Sequence, residues 1–525
     1  MPTDTHVAPD GASGLELDDD ARYRAMRTRD ARFDGWFFIG VRTTGIYCRP
    51  SCPTPVQPKR ANIAFYPTAA AAQQAGFRAC KRCRPDATPG SPAWNLRADL
   101  VGRALRSIGD GVVDREGVSG LARHLAVSER HLNRVLADQV GAGPIALARA
   151  QRAQTARLLI ETTELPIAQV AFAAGFASVR QFNDTVREVF AATPTELRRA
   201  AHRSRARRRS SAAVPAADGA TATPISVRLP FRRPFDHEHV WSFLAARAVP
   251  GVEAMVGPTY RRALVLPNGP GVAELTPAAD HVAATFHLTD VRDLATAIAR
   301  SRRLLDLDAD PVAIDGVLAE DPALRPAVRN HPGRRSPGAV DPHELAIRAV
   351  LGQQITVGAA RTLAGRLAER LGAELPAGLR IEDADPTGEA DPAPVGRAFP
   401  DARTLAAVDP ATLGMPRARA RALVALATAL ADGTVVLDAG VDRAEATAAL
   451  EAVGGIGPWT ASYITMRSLS DPDAFLPTDV AVLKGAANLG LPVDPGGLTA
   501  HAARWRPWRA YATHHLWAAS TTPVT

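Results

Sequence analysis

Three things are scarce or missing in this chain of 525 residues. No apolar run is long enough to span a membrane, which takes about 18 residues or more. The first twenty residues hold several acidic side chains and no Lys or Arg, the opposite of a secretory signal. Cysteine is confined to residues 48–83, so a disulfide framework across the chain is excluded. These absences predict a cytoplasmic protein that does not contact a membrane.

The composition is globular and basic. Hydrophobic residues make up 46% and charged residues 22%, which excludes wholesale disorder. At about 150 residues per domain, the length predicts three to four domains. The net charge of +8 and the pI of about 9.8 suit a polyanionic partner. Many mildly basic proteins bind no nucleic acid, however, so charge alone does not decide.

The four cysteines form two short-spaced pairs. Cys48 and Cys52 make a C-x3-C pair, Cys80 and Cys83 make a C-x2-C pair, and 27 residues separate the pairs. In a reducing compartment this spacing predicts one tetrahedral zinc ion per chain rather than disulfides. Most four-cysteine zinc sites are purely structural, so the spacing leaves open whether a thiolate reacts.

The residues around the cysteines carry a family resemblance. The stretches are FDGWFFIGVRTTGIYCRPSCPTPVQPKRANIAFY (33–66) and GFRACKRCRPD (76–86). They closely resemble the methyl-accepting zinc domain of Ada-type adaptive-response proteins, over about residues 20–90. The resemblance implies that one zinc thiolate takes a methyl group from a DNA methylphosphotriester. By its position in VRTTGIYCRPSC, that nucleophile is Cys48.

The charge of such a centre suits a switch. Zinc keeps the thiols deprotonated, so Zn²⁺ with four thiolates carries −2. Methylation of Cys48 leaves −1, and one charge at ~5 Å with an effective dielectric constant of ~20 is worth roughly 3 kcal/mol. That corresponds to about a hundredfold in DNA affinity. Basic residues near the cysteines are expected to contact DNA phosphates: Arg42, Arg49, Lys59, Arg60, Arg78, Lys81, Arg82 and Arg84. The alternative is that they form only a solvated basic face.

Two helix-turn-helix units follow the cysteines. Helical spacing of apolar residues begins near Ala93. The segment VSGLARHLAVSERHLNRVL (118–136) predicts two helices and a turn, with Ser128 capping the second helix. A second copy, IAQVAFAAGFASVRQFNDTVREVF (167–190), has Gly175 in its turn and a capping box of Ser178 and Gln181. Many helical hairpins bind nothing, so neither copy alone establishes DNA binding.

Together the copies resemble the paired helix-turn-helix of AraC-type regulators, over about residues 93–200. The stretches VAFAAGFAS and FAATPTELRR carry this likeness, and Ada-type proteins have the same pair directly after their zinc domain. The resemblance implies recognition helices that begin near Ser128 and Ser178. The side chains expected to face the major groove are Arg130, His131, Arg134, Arg180, Gln181 and Asn183.

A boundary follows near residues 200–223. Seven arginines and no acid lie between Arg198 and Arg209, and a linker of small residues and proline comes next. From Ile225 to about Ile314, the strand-like runs ISVRLPF, RRALVLP and HVAATFHL alternate with helix-like runs, which predicts a small α+β domain. The second methyl-accepting domain of the best-known Ada arrangement needs a cysteine, so its activity is excluded.

The last third of the chain predicts a helix-hairpin-helix domain. The segment from His343 to Gly372 is amphipathic and helical, and GGIG (454–457) makes a tight hairpin before a helix that opens at Pro458. The amides of Gly455 and Gly457 form a site for one DNA phosphate. GGIGPWTASY with FLPTDVAVLKG about twenty residues later resembles the helix-hairpin-helix glycosylases, most closely 3-methyladenine DNA glycosylase II, over about residues 225–525.

By position in that match the catalytic acid is Asp479. The local pattern fits equally well an aspartate that merely caps the helix beginning at Val480, and the two roles are compatible. Lyases of the superfamily use a lysine in the helix after the hairpin, where this chain has Trp459. We therefore expect base release without lysine-dependent strand cleavage. An iron–sulfur cluster is not expected, because no cysteine remains downstream.

Aromatic residues are expected to form the base pocket. Trp459 and Tyr463 lie one helical turn apart, and Trp517 completes an aromatic wall that suits electron-poor, cationic methylpurines. The alternative is that these aromatics are ordinary core. Val480 replaces an aromatic residue of the enteric-type enzyme, so the pocket is expected to be wider or more selective for its substrate base. Gln353 or, preferably, Gln354 stands where the family places the wedge that fills the gap left by a flipped base.

The chain is identified as an Ada-type sensor and activator fused to an AlkA-type glycosylase, mainly α. We expect methyl transfer that switches on transcription, and hydrolytic excision of alkylated bases. The expected partners are double-stranded DNA and RNA polymerase. The protein is expected to be a monomer. Two alternatives are a regulator whose C-terminal half only docks on DNA, and a glycosylase whose zinc is structural. The expected units are an acidic tail (1–20), a zinc domain (21–90), paired helix-turn-helix units (91–200), a linker (201–223), an α+β domain (224–330) and an all-α glycosylase domain (331–525).

Overall fold

The computed structural model describes residues 18–83, 85, 100–208, 224–380 and 395–521. Most of the predicted acidic tail and linker, the first residues of the helix predicted from Ala93, and Arg84 lie outside the described residues. Within the described ranges, no helix is both long and apolar enough to cross a membrane.

The cysteines lie in a small α+β unit. Its elements are α1 (Asp19–Arg27), β1 (Phe38–Val41), β2 (Ile46–Cys48), β3 (Ile63–Tyr66), α2 (Ala69–Gln74) and β4 (Arg78–Ala79). The sheet order is β3-β1-β2-β4, with β2 and β4 parallel. Tyr47 is paired with Ala79. Because parallel neighbours end at one edge of a sheet, Cys48 and Cys80 emerge side by side.

The next unit is helical and has the predicted two-copy pattern. Its helices are α3 (Leu100–Gly109), α4 (Val112–His124), α5 (Glu129–Val140), α6 (Pro144–Thr162), α7 (Ile167–Ala173), α8 (Val179–Phe190) and α9 (Pro194–Arg208). The Ser128 hydroxyl accepts from the His131 amide and caps α5, as predicted. The Ser178 hydroxyl accepts from the Gln181 amide and caps α8 in the same way.

A five-stranded antiparallel sheet then forms the predicted α+β unit. Its elements are β5 (Ile225–Pro230), α10 (His237–Ala245), β6 (Glu253–Val256), β7 (Thr259–Leu266), β8 (Gly269–Pro277), β9 (His281–Leu288) and α11 (Leu294–Leu304). The strand order is β5-β9-β8-β7-β6. Alternate residues Ile225, Val227 and Leu229 of β5 are buried, the period of a strand with one covered face.

The remainder is helical. Its helices are α12 (Pro311–Leu318), α13 (Arg325–Asn330), α14 (Pro342–Leu351), α15 (Val357–Leu371), α16 (Ala402–Ala406), α17 (Arg417–Ala431), α18 (Arg443–Glu451), α19 (Pro458–Ser468), α20 (Val480–Asn488), α21 (Pro495–Ala502) and α22 (Arg509–Ala519). The segment 343–372, predicted as helical throughout, is broken between α14 and α15. Gln354 there has φ +55°, and Thr356 caps the new helix by accepting from the Ala359 amide.

The units pack against one another through side chains that hold backbone groups. The Thr68 hydroxyl donates to the Val140 carbonyl (3.0 Å), and Arg232 Nη2 donates to the Asp34 carbonyl (2.8 Å). Arg303 also pairs with Asp110 at 2.7 Å. One hydrophobic core joins Phe38 and Tyr47 of the cysteine unit, residues of α6 to α8, and the sheet β5–β9.

Candidate metal centre and active site

The four cysteines converge as the sequence predicts. Cys48 ends β2, Cys80 follows β4, and Cys52 and Cys83 lie in the turns that come next. All four Sγ atoms lie within 4.8 Å of one another. Tetrahedral zinc with bonds of about 2.3 Å places its sulfurs roughly 3.8 Å apart, so the cluster has the size of a zinc site.

The chemistry of the cluster also requires a cation. Without one, the four thiols compete for protons: hydrogen bonding to Cys52 raises the pKa of Cys48, and hydrogen bonding with Cys48 lowers the pKa of Cys80. Four adjacent thiolates are compatible only with a metal that neutralises them. Cys48 and Cys80 are half-buried, whereas Cys52 and Cys83 are buried.

Asp34 fixes the turn that joins Cys48 to Cys52. Its carboxylate accepts from the Ser51 amide (3.0 Å) and the Ser51 hydroxyl (2.5 Å), and it pairs with Arg49 at 3.4 Å. Burial raises the pKa of Asp34, although the Ser51 bonds and the Arg49 charge oppose this. The turn is therefore held by bonds that do not involve the thiols.

The basic residues near the cluster differ in their freedom to bind phosphate. Arg78 is exposed, and its side chain has no partner among the described residues. Arg49 is paired with Asp34, and Arg60 is paired with Asp19 at 3.1 Å. Lys81 donates to the Ala191 carbonyl of the helical unit (3.4 Å). Of Arg78, Arg49, Arg60 and Lys81, Arg78 is thus the one whose side chain is not already committed to another described residue.

The predicted recognition helices present polar side chains to solvent. Arg130, His131 and Arg134 are exposed on α5, where Arg134 Nη2 lies 3.2 Å from His131 Nδ1. The same face of α8 exposes Arg180 and Gln181 and leaves Asn183 half-buried. The contacts of α3 with the later helical region use other residues, such as Arg103, which donates to the Gly440 carbonyl (2.6 Å). Both recognition faces therefore stay uncovered by the described residues.

The predicted hairpin joins α18 to α19. Gly455 has φ +93°, and a Cβ there would lie 2.6 Å from the Ala422 Cβ of α17, so this position requires glycine. Pro458 opens α19, as predicted, and Gly455 and Gly457 are exposed at the turn. The exposed amides at this helix start suit a phosphate.

Asp479 lies in the cleft beside the hairpin and accepts three hydrogen bonds. Its Oδ1 accepts from the Val482 amide (2.9 Å) and from Trp517 Nε1 (3.0 Å), and its Oδ2 accepts from Trp459 Nε1 (3.0 Å). The residue therefore caps α20 and also binds two indoles. Three N–H donors stabilise negative charge on this carboxylate and fix its orientation.

A close helix contact puts Trp517 within reach of Asp479. A Cβ on Gly485 of α20 would lie 1.9 Å from the Leu516 carbonyl oxygen of α22. Only glycine lets these two helices approach so closely. The indole of Trp517, the next residue along α22, then reaches the carboxylate at the start of α20.

The cleft has a volume of about 1500 Å³, and aromatic rings line it next to Asp479. Trp459 and Tyr463 stack with centroids 5.4 Å apart and an angle of 6° between their planes, and Trp517 lies 6.4 Å from Tyr463. All three rings are half-buried rather than core. Val480 stands at the edge of the cleft with 83% of its surface exposed.

Comparisons with known proteins match each part of this architecture. The family model of the metal-binding domain of Ada matches residues 21–86, a helix-turn-helix model matches residues 121–200, and the AlkA N-terminal domain matches residues 226–341. A probable bifunctional transcriptional activator/DNA repair enzyme AlkA from Mycobacterium tuberculosis is 54% identical over 96% of both chains. The chain belongs to this AlkA family of bifunctional proteins.

Two Escherichia coli proteins match different parts of the chain. DNA-3-methyladenine glycosylase 2 is 34% identical over 55% of this chain and 95% of its own length. The bifunctional transcriptional activator/DNA repair enzyme Ada is 38% identical over 27% of this chain and 38% of its own length. The predicted fusion of an Ada-type sensor half with an AlkA-type glycosylase half is confirmed, as is the zinc centre.

The AlkA-type half contains pocket residues that the sequence did not reveal. The ring of Phe243, from α10, lies 6.3 Å from Trp517 and nearly parallel to it. Arg247 places its guanidinium carbon 3.7 Å from the Phe243 centroid, and Arg467 places its own at 4.7 Å. All of these side chains line the same cleft. We call them, with the Tyr463 hydroxyl, the inner end of the pocket.

The Tyr463 hydroxyl is surrounded by cations. Arg467 Nη1 donates to it (2.9 Å), and the Arg247 guanidinium also bonds it. Burial acts to raise the pKa of Tyr463, but the two guanidinium charges outweigh burial and hold that pKa below its usual range. Nearby, His239 Nε2 and His514 Nδ1 bond each other at 3.2 Å, and burial lowers the pKa of His239 to about 4.

The two candidate wedge residues have different surroundings. Gln353 Nε2 donates to the Gly455 carbonyl and to the Thr460 hydroxyl, both at 3.0 Å, and so ties the α14–α15 turn to the hairpin. Gln354 is exposed, lines the cleft and has no side-chain partner among the described residues.

Proposed function

We propose that the AlkA-type half excises alkylated purines by hydrolysis of the N-glycosidic bond. The observation that carries this proposal is the Asp479 carboxylate, held by three N–H donors at an aromatic cleft. As the base departs, Asp479 stabilises the positive charge that develops on the sugar and orients the attacking water. Excision of 3-methyladenine and related bases from an alkylated duplex, followed by chromatography of the released bases, tests it.

Strand cleavage is not part of this proposal. Trp459 occupies the position of the lysine that forms a Schiff base in lyases of the superfamily, and its indole bonds Asp479 instead. The product is therefore an abasic site that breaks only in alkali. Trapping of a covalent enzyme–DNA adduct by borohydride would contradict this assignment.

The DNA contacts of this half are proposed from exposure and position. The amides of Gly455 and Gly457 take one phosphate. Gln354 enters the stack where the base has left, because Gln353 is already committed to the hairpin. The aromatic walls Trp459, Tyr463 and Trp517 accept the flipped base by stacking.

We also propose that the Ada-type domain transfers a methyl group irreversibly. Bound zinc supplies a set of thiolates at neutral pH. The Cys48 sulfur attacks the methyl carbon of a neutral phosphotriester; an S–C bond forms, the C–O bond breaks, and an ordinary phosphodiester anion leaves. The resemblance assigns the role to Cys48, and its incomplete burial supports it. Mass spectrometry of the protein after incubation with methylphosphotriester DNA tests it.

Methylation then turns the chain into a transcriptional activator. Loss of one negative charge beside Arg78 favours the DNA backbone. Arg130 and Arg134 on α5, with Arg180 and Gln181 on α8, read the promoter in its major groove. We propose that the active form is a monomer in the cytoplasm that recruits RNA polymerase, and that residues 21–90, 91–200, 224–330 and 331–525 are its folding units.

The alternative is a regulator whose C-terminal half only docks on DNA. Docking on DNA needs the hairpin, but it does not need a carboxylate that accepts hydrogen bonds from two tryptophans at an aromatic cleft. The observed geometry of Asp479 therefore favours chemistry.

A further inference from the structure

The inner end of the pocket is a part of the cleft that neither the hairpin nor the catalytic carboxylate explains. Its polar groups come from two places that are distant in sequence, Arg247 just after α10, and Tyr463 and Arg467 on α19. Trp517, whose indole bonds Asp479, stacks on Phe243, and the Arg247 and Arg467 guanidinium carbons lie 3.7 Å and 4.7 Å from the Phe243 centroid. The rings of Trp517 and Phe243 therefore separate these guanidinium groups from the carboxylate. The donors and acceptors that these groups can offer a ligand are those not already used in hydrogen bonds within the protein.

Three of the five N–H donors of Arg467 are already committed. It is buried, its Nε donates to the Pro337 carbonyl, its Nη2 donates to the Gly338 carbonyl (2.9 Å), and its Nη1 donates to the Tyr463 hydroxyl (2.9 Å). Its role is to hold the hydroxyl in place. Since that oxygen accepts from Arg467, the Tyr463 O–H hydrogen is left to donate elsewhere.

Arg247 has donors to spare. Its Nη1 donates to the Phe243 carbonyl (3.2 Å), its guanidinium also bonds the Tyr463 hydroxyl, and its guanidinium carbon lies 3.7 Å from the Phe243 centroid. The side chain is half-buried and faces the cleft. A guanidinium carries five N–H donors and no acceptor, so several remain for a ligand.

Two histidines lie beside these donors. His239 Nε2 and His514 Nδ1 bond each other. The remaining ring nitrogen of His514, Nε2, is buried and has no hydrogen-bond partner among the described residues. The inner end of the pocket therefore presents hydrogen-bond donors, from Arg247 and Tyr463, and positive charge.

A flipped purine meets this end with a defined edge. Its glycosidic nitrogen N9 has to lie near Asp479 for the bond to break, and the 6-substituent lies across the bicyclic ring from N9. The 6-position therefore points away from Asp479, toward the inner end. A 6-oxo group accepts hydrogen bonds, whereas a 6-amino group donates them and meets other donors.

We propose that Arg247, together with the Tyr463 hydroxyl, reads the 6-position of the flipped base and favours methylated 6-oxopurines over methylated 6-aminopurines. This preference rests on the proposed glycosylase function and adds a specificity-determining residue to it. Both classes are excised, and the guanine-type lesion is excised with the higher kcat/KM.

The test compares two lesions with the same charge and the same methylated position, 3-methylguanine and 3-methyladenine. Duplex DNA treated with dimethyl sulfate holds both, and chromatography follows their release in one reaction. Because both compete for the same enzyme, the ratio of the two kcat/KM values is independent of enzyme amount and overall DNA affinity.

Arg247→Met keeps an apolar stem over Phe243 and removes the donors. We expect the ratio of 3-methylguanine to 3-methyladenine release to fall about tenfold or more. Arg247→Lys retains a donor and should keep part of the preference. Arg361→Met, which removes an exposed arginine from the outer cleft, is the matched control and should slow both lesions equally.

Tyr463→Phe is a second, independent variant, and it should also lower the ratio. It keeps the test possible if Arg247→Met does not fold. An unchanged ratio in the folded variants, with both bases still released, overturns the proposal and leaves the glycosylase function standing. Failure of the wild type to release either base faster than Asp479→Asn would instead overturn the proposed function.

Discussion

The two tryptophans that bond Asp479 are expected to control its chemistry and not only to stack on the base. Trp459→Phe and Trp517→Phe each keep an aromatic ring and remove one 3.0 Å N–H bond to the carboxylate. A hydrogen bond to a charged group is worth about 1.5–3 kcal/mol. If the loss of that bond lets the Asp479 carboxylate move from its position, the rate of base excision should fall roughly tenfold to a hundredfold.

The assay is single-turnover release of 3-methyladenine at saturating enzyme, which separates chemistry from binding. The matched control is Trp505→Phe, because Trp505 Nε1 donates to Asp321 Oδ2 (2.7 Å) in the core, away from the cleft. That variant should lower the melting temperature and leave the excision rate of the folded protein unchanged. If Trp459→Phe and Trp517→Phe raise only KM and leave the single-turnover rate intact, the positioning role is refuted.

Two further predictions concern the Ada-type domain. Cys48→Ala should abolish methyl uptake from methylphosphotriester DNA, whereas Arg78→Ala should only weaken DNA binding; peptide mapping that places the methyl on Cys52 or Cys80 would contradict the assignment. Methylated protein should bind promoter DNA roughly tenfold to a hundredfold more tightly than unmethylated protein, by the charge argument, with a smaller gain at high salt. Equal affinities at low salt would leave the zinc as a scaffold.

The features that the sequence predicts well are local. Short cysteine spacings, a serine before each recognition helix, and glycines in the hairpin act within a few residues, and the structure confirms the geometry of each. The helix-capping role of Asp479 is also a local feature, because its bond to the Val482 amide spans only three residues.

The features that the sequence does not reveal are non-local. Phe243 of α10 and Arg247 just after it reach the pocket from more than two hundred residues before Trp459, and no spacing rule links them. The break between α14 and α15 has a similar cause. Its apolar periodicity continues on both sides, but Gln353 is tied to the Gly455 carbonyl of the distant hairpin, and Thr356 restarts the helix.

The central claim, that Asp479 performs chemistry and does not merely cap α20, is tested most directly by Asp479→Asn. Asparagine caps a helix well, so the fold and DNA affinity should survive, while the charge that stabilises the transition state is lost. The measurement is single-turnover release of 3-methyladenine, with circular dichroism and DNA binding measured on the same preparation. The account predicts a folded, DNA-binding protein with no detectable excision, and excision at the wild-type rate would contradict it.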